Sequence, residues 1–262
     1  MMQEANERGL LVEERRRRIC ELLRERGKVT VDALAARFGT SQVTVRADLS
    51  VLESTGALTR THGGALSVED TDQPLNVKQL QHYAEKLSIA EAACRLIRDG
   101  ETIILDSGTT TAEIARRMRK LELRSVNVIT NALNIAALLI DVPAVRLIMP
   151  GGILRRESNS LSGHMAEAAL ANLQADRLYL GADGVDPELG VMTPHLAEAE
   201  LNAKMIRISR QVVVVADSSK FMRRNISLIA KVEQLHLLIT DRAAPEAAVE
   251  ELRRRGVEVQ LV

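Results

Sequence analysis

From Gly100 to Val262 the chain alternates between short apolar runs and amphipathic stretches, and that alternation leaves few folds open to it. Thr102–Leu105, Val126–Ile129, Val145–Met149, Arg177–Leu180, Val212–Ala216, Leu235–Thr240 and Val257–Val262 read as strands. Between them, Thr110–Arg119, Ala132–Ile140, Gly163–Leu173, Pro194–Arg207 and Pro245–Arg255 read as helices, with Pro194 in the first turn of its helix. Short apolar strands alternating with helices predict a parallel α/β sheet covered on both faces.

In such a sheet, ligands bind beyond the carboxyl ends of the strands. The first strand runs into Asp106-Ser107-Gly108-Thr109-Thr110-Thr111 and then into a helix, with Thr110 and Glu113 spaced as a capping box. Hydroxyls, a glycine and unpaired helix N–H groups make a phosphate cradle. Later strand ends carry Thr130-Asn131, Pro150-Gly151-Gly152, Gly181-Ala182-Asp183-Gly184 and Asp217-Ser218-Ser219-Lys220. Each set alone is ordinary βα-loop chemistry, but five sets at one edge point to a ligand. Lys220 offers a cation for phosphate, Asp183 and Asn131 suit sugar hydroxyls, and the glycines allow close backbone approach.

The N-terminal part has a different grammar. Leu11–Arg26 reads as a helix whose Ile19, Leu22 and Leu23 face inward, ended by Gly27-Lys28. The run Arg15–Arg18 reads as a solvated face for at least two of its four residues, the alternative being phosphate contact by the first helix. Thr30 can cap a helix carrying Val31, Leu34, Ala35 and Phe38, which Gly39 ends. Ser41 then caps a second helix with Val45, Leu49 and Leu52 on its buried stripe, stopped at Gly56. Two short helices joined by a Gly-containing turn form a helix-turn-helix, whose second helix enters the DNA major groove. Ala57–Arg60 and Ala65–Val68 can pair around His62-Gly63-Gly64, placing Arg60 and His62 at the tip of a wing. A generic three-helix packing unit is the plainer alternative.

Residues 1–67 hold 11 Lys+Arg against 9 Asp+Glu, so DNA affinity must rest on placed cations rather than bulk charge. Cys20 and Cys94 lack metal-ligand spacing and read as free thiols of a reducing compartment. The five histidines (His62, His82, His164, His195 and His236) are scattered, which argues against a metal site. The first residues lack an apolar signal core and the longest apolar run, near Ala132–Ile140, is too short to span a bilayer. A cytoplasmic protein without a membrane segment is expected.

Ser41, Thr44, Val45, Arg46, Asp48, Leu49, Leu52 and Glu53, followed by Gly56, Leu58, Arg60, His62, Gly63, Gly64 and Ala65, resemble the DNA-binding domain of DeoR-type bacterial transcription regulators. Ala47 departs from the pattern, standing where many members carry a second Arg or another polar residue, and offers only apolar contact, for instance to a thymine methyl. The strand-end sets resemble that family's sensor domain, including Phe221 after Lys220, so the resemblance covers essentially the whole chain. It implies a sensor fold similar to ribose-5-phosphate isomerase, a phosphosugar effector and no cofactor. Within the family, ILDSGTTTAEIARRMRK, EAELNAKM and DSSKF look most like the branch governing N-acetylgalactosamine and galactosamine catabolism.

The expectation is therefore a winged helix-turn-helix over 1–67, a linker over 68–79 and a phosphosugar-sensing α/β domain over 80–262. The chain would repress a catabolic operon as a homo-oligomer, dimer or tetramer, on double-stranded operator DNA. Ser41, Thr44, Arg46, Arg60 and His62 are the expected DNA contacts, with Ser41 at the phosphate. Asp106, Ser107, Gly108, Thr109, Thr110, Thr111, Asn131, Gly151, Gly152, Asp183, Asp217, Ser219 and Lys220 are the expected effector contacts. A helix over Leu80–Ile97, striped by Leu80, Tyr83, Leu87, Ala90, Cys94 and Ile97, would transmit between them. An activator is one alternative. The other is a phosphosugar isomerase, for which Asp106, Asp183, Glu198, Asp217 and Lys220 are acid/base candidates on paper, although no compact acid/base signature is present.

Overall fold

The computed structural model describes residues 10–26, 28–55, 57–61, 63–67 and 75–262. They fall into two compact units, residues 1–78 and 79–262. The expected helix stops at Gly27 and Gly56, the wing residue His62 and most of the 68–79 segment lie outside the described residues.

The first unit runs α1 (Val12–Arg26), β1 (Lys28–Thr30), α2 (Val31–Phe38), α3 (Gln42–Ser54), β2 (Leu58–Thr61) and β3 (Gly64–Ser67). Both expected caps form. The Thr30 hydroxyl accepts the Ala33 N–H at 3.2 Å, and Gly39 closes α2 at φ +61°. The heptad-like apolar positions meet in one core of Ile19, Leu22, Leu23, Leu34, Phe38, Val45 and Leu49. The wing strands β2 and β3 pair antiparallel, and β1, which no pattern announced, joins on the far side of β3. Gly64 opposes Thr30 there, and a Cβ on it would stand 2.0 Å from the Val29 carbonyl oxygen, so only glycine fits.

A short helix, α4 (Leu75–Leu80), ends where the single helix expected over Leu80–Ile97 was to begin, and in the second unit α5 (Tyr83–Cys94) takes up only the middle of that span. His82 sits at φ +49°, which no continuing helix tolerates, and Leu80 is 80% exposed. The buried face of α5 is Ile89, Ala90, Ala93 and Cys94.

There follow β4 (Thr102–Leu105), α6 (Thr109–Met118), β5 (Val126–Ile129), α7 (Leu133–Leu139), β6 (Val145–Ile148), β7 (Ile153–Arg155), β8 (Ser160–Ser162), α8 (His164–Leu170) and β9 (Ala175–Leu180). The unit closes with β10 (Gly184–Asp186), β11 (Gly190–Thr193), α9 (Leu196–Arg207), β12 (Ser209–Val215), β13 (Ser227–Ala230), β14 (Leu237–Thr240), α10 (Glu246–Arg254) and β15 (Glu258–Leu261). Seven strands form one parallel sheet in the order β15-β14-β12-β9-β4-β5-β6. Residues alternate between its faces. Ile104, Leu178, Val212 and Val214 pack with α8, α9 and α10, while Ile103, Leu105, Val213 and Val215 pack with α5, α6 and α7. The unit is thus an α/β/α sandwich.

The parallel strands appear within a few residues of their expected bounds. The sequence pattern missed the antiparallel pieces, β7 with β8 and the β10-β11-β13 sheet, because three or four residues show no legible alternation. Pro194 is not in the first turn of α9, since β11 runs to Thr193 and the helix begins at Leu196. Among the described residues no helix is long and apolar enough to cross a membrane.

Candidate functional site

On α3 the burial of Val45, Leu49 and Leu52 fixes which side chains face outward. Ser41 caps the helix as expected, its hydroxyl accepting the Thr44 N–H at 3.1 Å and lying 2.9 Å from the Thr44 hydroxyl. Arg46 is exposed and makes no hydrogen bond or ion pair with the described residues. Val43, Arg46 and Ala47 share one face by helical spacing, and Val43 is 76% exposed. Sequence reasoning passed over Val43, although its place opposite the core stripe was readable. An exposed cation flanked by two small apolar side chains can read a guanine edge and a thymine methyl.

The structure corrects two readings. Arg60 is not at the wing tip: it pairs with Ala65 on β3, and its guanidinium turns back to the Ser50 hydroxyl at 2.6 Å, with Glu53 at 3.9 Å. The Arg15–Arg18 run is not a uniformly solvated face either. Asp48 on α3 is buried, and its two carboxylate oxygens accept from Arg15 Nε at 2.6 Å and Arg16 Nε at 2.9 Å. The two arginines therefore lock α1 to the reading helix, while Arg17 alone of the four stays largely solvated and Arg18 pairs with Glu21.

The second site is assembled from loops distant in sequence. The chain runs β4, β5, β6 toward one edge of the sheet, then returns to place β9 on the other side of β4. That reversal opens a crevice between the ends of β4 and β9. The five expected loops follow β12, β9, β4, β5 and β6, which are consecutive in the sheet. At about 4.8 Å between strands the outermost ends stand roughly 19 Å apart, more than one small ligand could span, and the β9–β4–β5 ends lie at the centre of the set.

Asp106 sits at the middle, 1% exposed. It accepts the Gly181 N–H at 3.1 Å and the Asn202 amide at 3.4 Å. Burial, reinforced by the nearby Asp183 carboxylate, pushes its carboxyl up to about 7 against the hydrogen bond from Gly181. Asp183 in turn accepts from the Thr193 hydroxyl at 3.1 Å. Asn202 and Thr193 were not foreseen, for α9 contributes Asn202 from its middle and Thr193 is the last residue of β11, a short strand the sequence pattern did not reveal.

The expected Thr110–Glu113 capping box does not form. Gly108 occupies the N-cap position, two residues earlier than that spacing required, and Glu113 Oε1 pairs with Arg116 at 3.4 Å. The Thr111 hydroxyl instead donates to the carbonyls of Asp106 and Gly108 at 3.0 and 2.9 Å, holding the loop. The Ser107 hydroxyl is buried without a partner, and Thr109 and Thr110 stand in the first turn of α6, whose leading N–H groups have no helical partner. Asn131 donates to the Leu161 carbonyl at 3.0 Å, tying the end of β5 to the β7–β8 hairpin, while its own Oδ1 is buried and unpaired. Gly151 and Gly152 lead into that hairpin at φ +75° and +118°. A Cβ on Gly152 would meet the Ser162 carbonyl at 2.6 Å, so the hairpin itself requires this glycine. Asp217 caps a 3-10 turn over Ser218–Lys220 by accepting the Ser219 N–H at 3.1 Å, and Asp241 from the end of β14 accepts the Ser218 N–H at 2.6 Å. Among the described residues no three His, Cys, Asp or Glu side chains converge as a metal site.

A helix-turn-helix followed in one chain by an α/β unit with polar strand-end loops is the organisation of a transcription regulator. The DeoR-like helix-turn-helix model matches residues 15–71 and the DeoR C-terminal sensor model residues 81–242, so the chain belongs to the DeoR family. It is 43% identical to the aga operon transcriptional repressor of Escherichia coli O157:H7, over 95% of this chain and 93% of that one. It is 34% identical to the HTH-type transcriptional regulator GlpR of Haloferax volcanii, over 95% and 98%. These relatives and the family are named for transcriptional regulation, not for catalysis. Among solved structures, ribose 5-phosphate isomerase A of Methanocaldococcus jannaschii aligns at 22% identity and a TM-score of 0.39, over 52% of this chain and 53% of that one.

Proposed function

We propose that this DeoR-family DNA-binding regulator represses a sugar catabolic operon, an amino-sugar one by the branch resemblance and the 43% relative, and leaves its operator when a phosphosugar binds. The observation that carries the reading is the contiguity of five hydroxyl-, glycine- and carboxamide-bearing loops at one edge of the sensor sheet. Two α3 helices of a homo-oligomer, a dimer or tetramer, read half-sites about one DNA turn or a multiple apart, in the cytoplasm. Ser41 contacts phosphate and Thr44 and Arg46 the groove. The effector lies against Asp106, Ser107, Thr109, Thr110, Asn131 and Asp183, with its phosphate toward Lys220.

A hundredfold preference of the effector for the unbound arrangement is worth about 2.7 kcal/mol of coupling. A thermal-shift screen of hexosamine, hexose and pentose phosphates, followed by operator release with the best ligand, tests the reading. Stabilisation by one class together with release supports it, and a protein that stays on operator DNA with every phosphorylated sugar refutes it. Thr110→Ala and Lys220→Ala should keep operator affinity and blunt release. Arg46→Ala should cost about 1–3 kcal/mol of operator binding, with relaxed specificity at one base pair, as read by fluorescence anisotropy on operator variants. Equal loss on every DNA sequence would make Arg46 a backbone contact.

A further inference from the structure

Arg155 lies on β7, in the hairpin that follows Gly151 and Gly152, and its guanidinium meets the start of α9. Its Nη1 donates to Glu198 Oε2 at 3.4 Å, and its Nη2 stands 2.7 Å from His195 Nε2. Arginine has no acceptor, so His195 Nε2 accepts and the imidazole in this arrangement is neutral. The Arg155 and Glu198 side chains are 24% and 17% exposed, so a solute can reach them.

Hydrogen bonds tie this pair to the centre of the strand-end crevice. Glu198 and Asn202 are four residues apart on α9, hence on one face and about 6 Å apart along its axis. Asn202 donates to Asp106. The His195 N–H reaches the Thr193 hydroxyl at 3.4 Å, and that hydroxyl donates to Asp183. The hairpin hangs from the end of β5, where the Leu161 N–H donates to the Asn131 carbonyl and the Leu133 N–H to the Asn159 carbonyl, both at 2.8 Å. Arg155 therefore carries the hairpin from β5 across to the helix that reaches Asp106. The first turn of α6, the expected phosphate cradle, belongs to the opposite face of the sheet from α9. A ligand with its phosphate at α6 turns its sugar end toward α9.

A carboxylate and a guanidinium 3.4 Å apart form a loose pair that a neutral group able both to donate and to accept can enter. A sugar hydroxyl donates to Glu198 and accepts from Arg155, and an acetamido group does the same through its N–H and C=O. A phosphate gains less there, because Glu198 repels it. We propose that Arg155 and Glu198 form the sugar-reading side of the effector site and select among phosphosugars by the placement of a ring hydroxyl or acylamino group; this rests on the strand-end crevice being the effector site. His195 holds the second arm of the guanidinium and so fixes its plane.

Calorimetry on the full chain with N-acetylgalactosamine 6-phosphate, its C4 epimer N-acetylglucosamine 6-phosphate, and galactosamine 6-phosphate tests this. The unaltered protein should prefer one of them by about tenfold or more, since a site built of hydrogen-bonding groups rejects a misplaced partner. Arg155→Met should bring the three to within a few-fold of one another while leaving binding measurable. Should Arg155→Met not fold, Glu198→Ala carries the test with the same expected flattening, alanine being favoured in a helix. A preference kept by the folded variant, or binding abolished for every probe alike, overturns the selective role and leaves the crevice reading standing. Equal affinity of the unaltered protein for all three does the same. Failure of the unaltered protein to bind any of them overturns both.

Discussion

Two buried carboxylates, one in each unit, are held in opposite ways. In the DNA-reading unit, Asp48 is 1% exposed between two guanidiniums at 2.6 and 2.9 Å. In the sensor unit, Asp106 is equally buried, but its partners are a backbone N–H and an amide, and the charge that acts on it is the like-signed Asp183. A compensated buried charge costs little while intact and fixes the geometry of what it joins, here α1 to α3. An uncompensated one is held at a loss of stability, which ligand-binding sites commonly tolerate. Burial at Asp48 holds α1 against α3, whereas burial at Asp106 leaves a carboxyl among neutral donors.

The largest effect should come from breaking the compensated side. Asp48→Ala leaves two partly buried arginines without their anion and should cost the first unit about 3–5 kcal/mol, with operator binding lost. Denaturant unfolding followed by probes in each unit checks this, and a loss below about 1 kcal/mol would mean the pair behaves as a surface one.

A smaller effect of opposite sign is expected at Asp106. Its carboxyl is raised to about 7 in the folded chain, against about 3.9 for an unperturbed Asp. The folded state therefore holds the proton more tightly, and this group lowers stability as pH climbs from about 4 to 7, with the full penalty above that. Asp106→Asn should gain on the order of 2 kcal/mol at pH 8 and nothing at pH 4, while losing effector response. Parallel thermal-melting curves against pH for the two proteins would contradict the assignment.

The smallest change separates two duties of one hydroxyl. Ser41→Ala should cost about 1 kcal/mol of stability through the lost cap. Ser41→Asp keeps a good cap but sets a negative charge where DNA phosphate is expected, so stability should hold while operator affinity falls. Unchanged affinity would place Ser41 away from the phosphate.

Legibility differed between the units for physical reasons. Caps and apolar stripes are local, so Thr30, Gly39, Ser41 and the Val45–Leu49–Leu52 face could be read directly and formed as read. Arg15, Arg16 and Arg60 could not be, because a charge run looks the same whether it meets solvent, Asp48 or Ser50. In the sensor unit the parallel strands were legible as unbroken apolar runs. The helix break at His82 was not, since the three-and-four spacing continues through it and only a backbone angle betrays it.

By itself the sequence determined the fold class, the helix caps, the buried stripes and the loops rich in ligand-type groups, because short-range periodicity and turn chemistry act over a few residues. Tertiary structure alone decided that Arg15 and Arg16 close on Asp48, that five loops are consecutive along one edge, and that Asn202 and Thr193 share the environment of those loops. Strand order, and the burial that raises the Asp106 carboxyl, depend on contacts between residues dozens of positions apart. No local pattern of side chains carries that information.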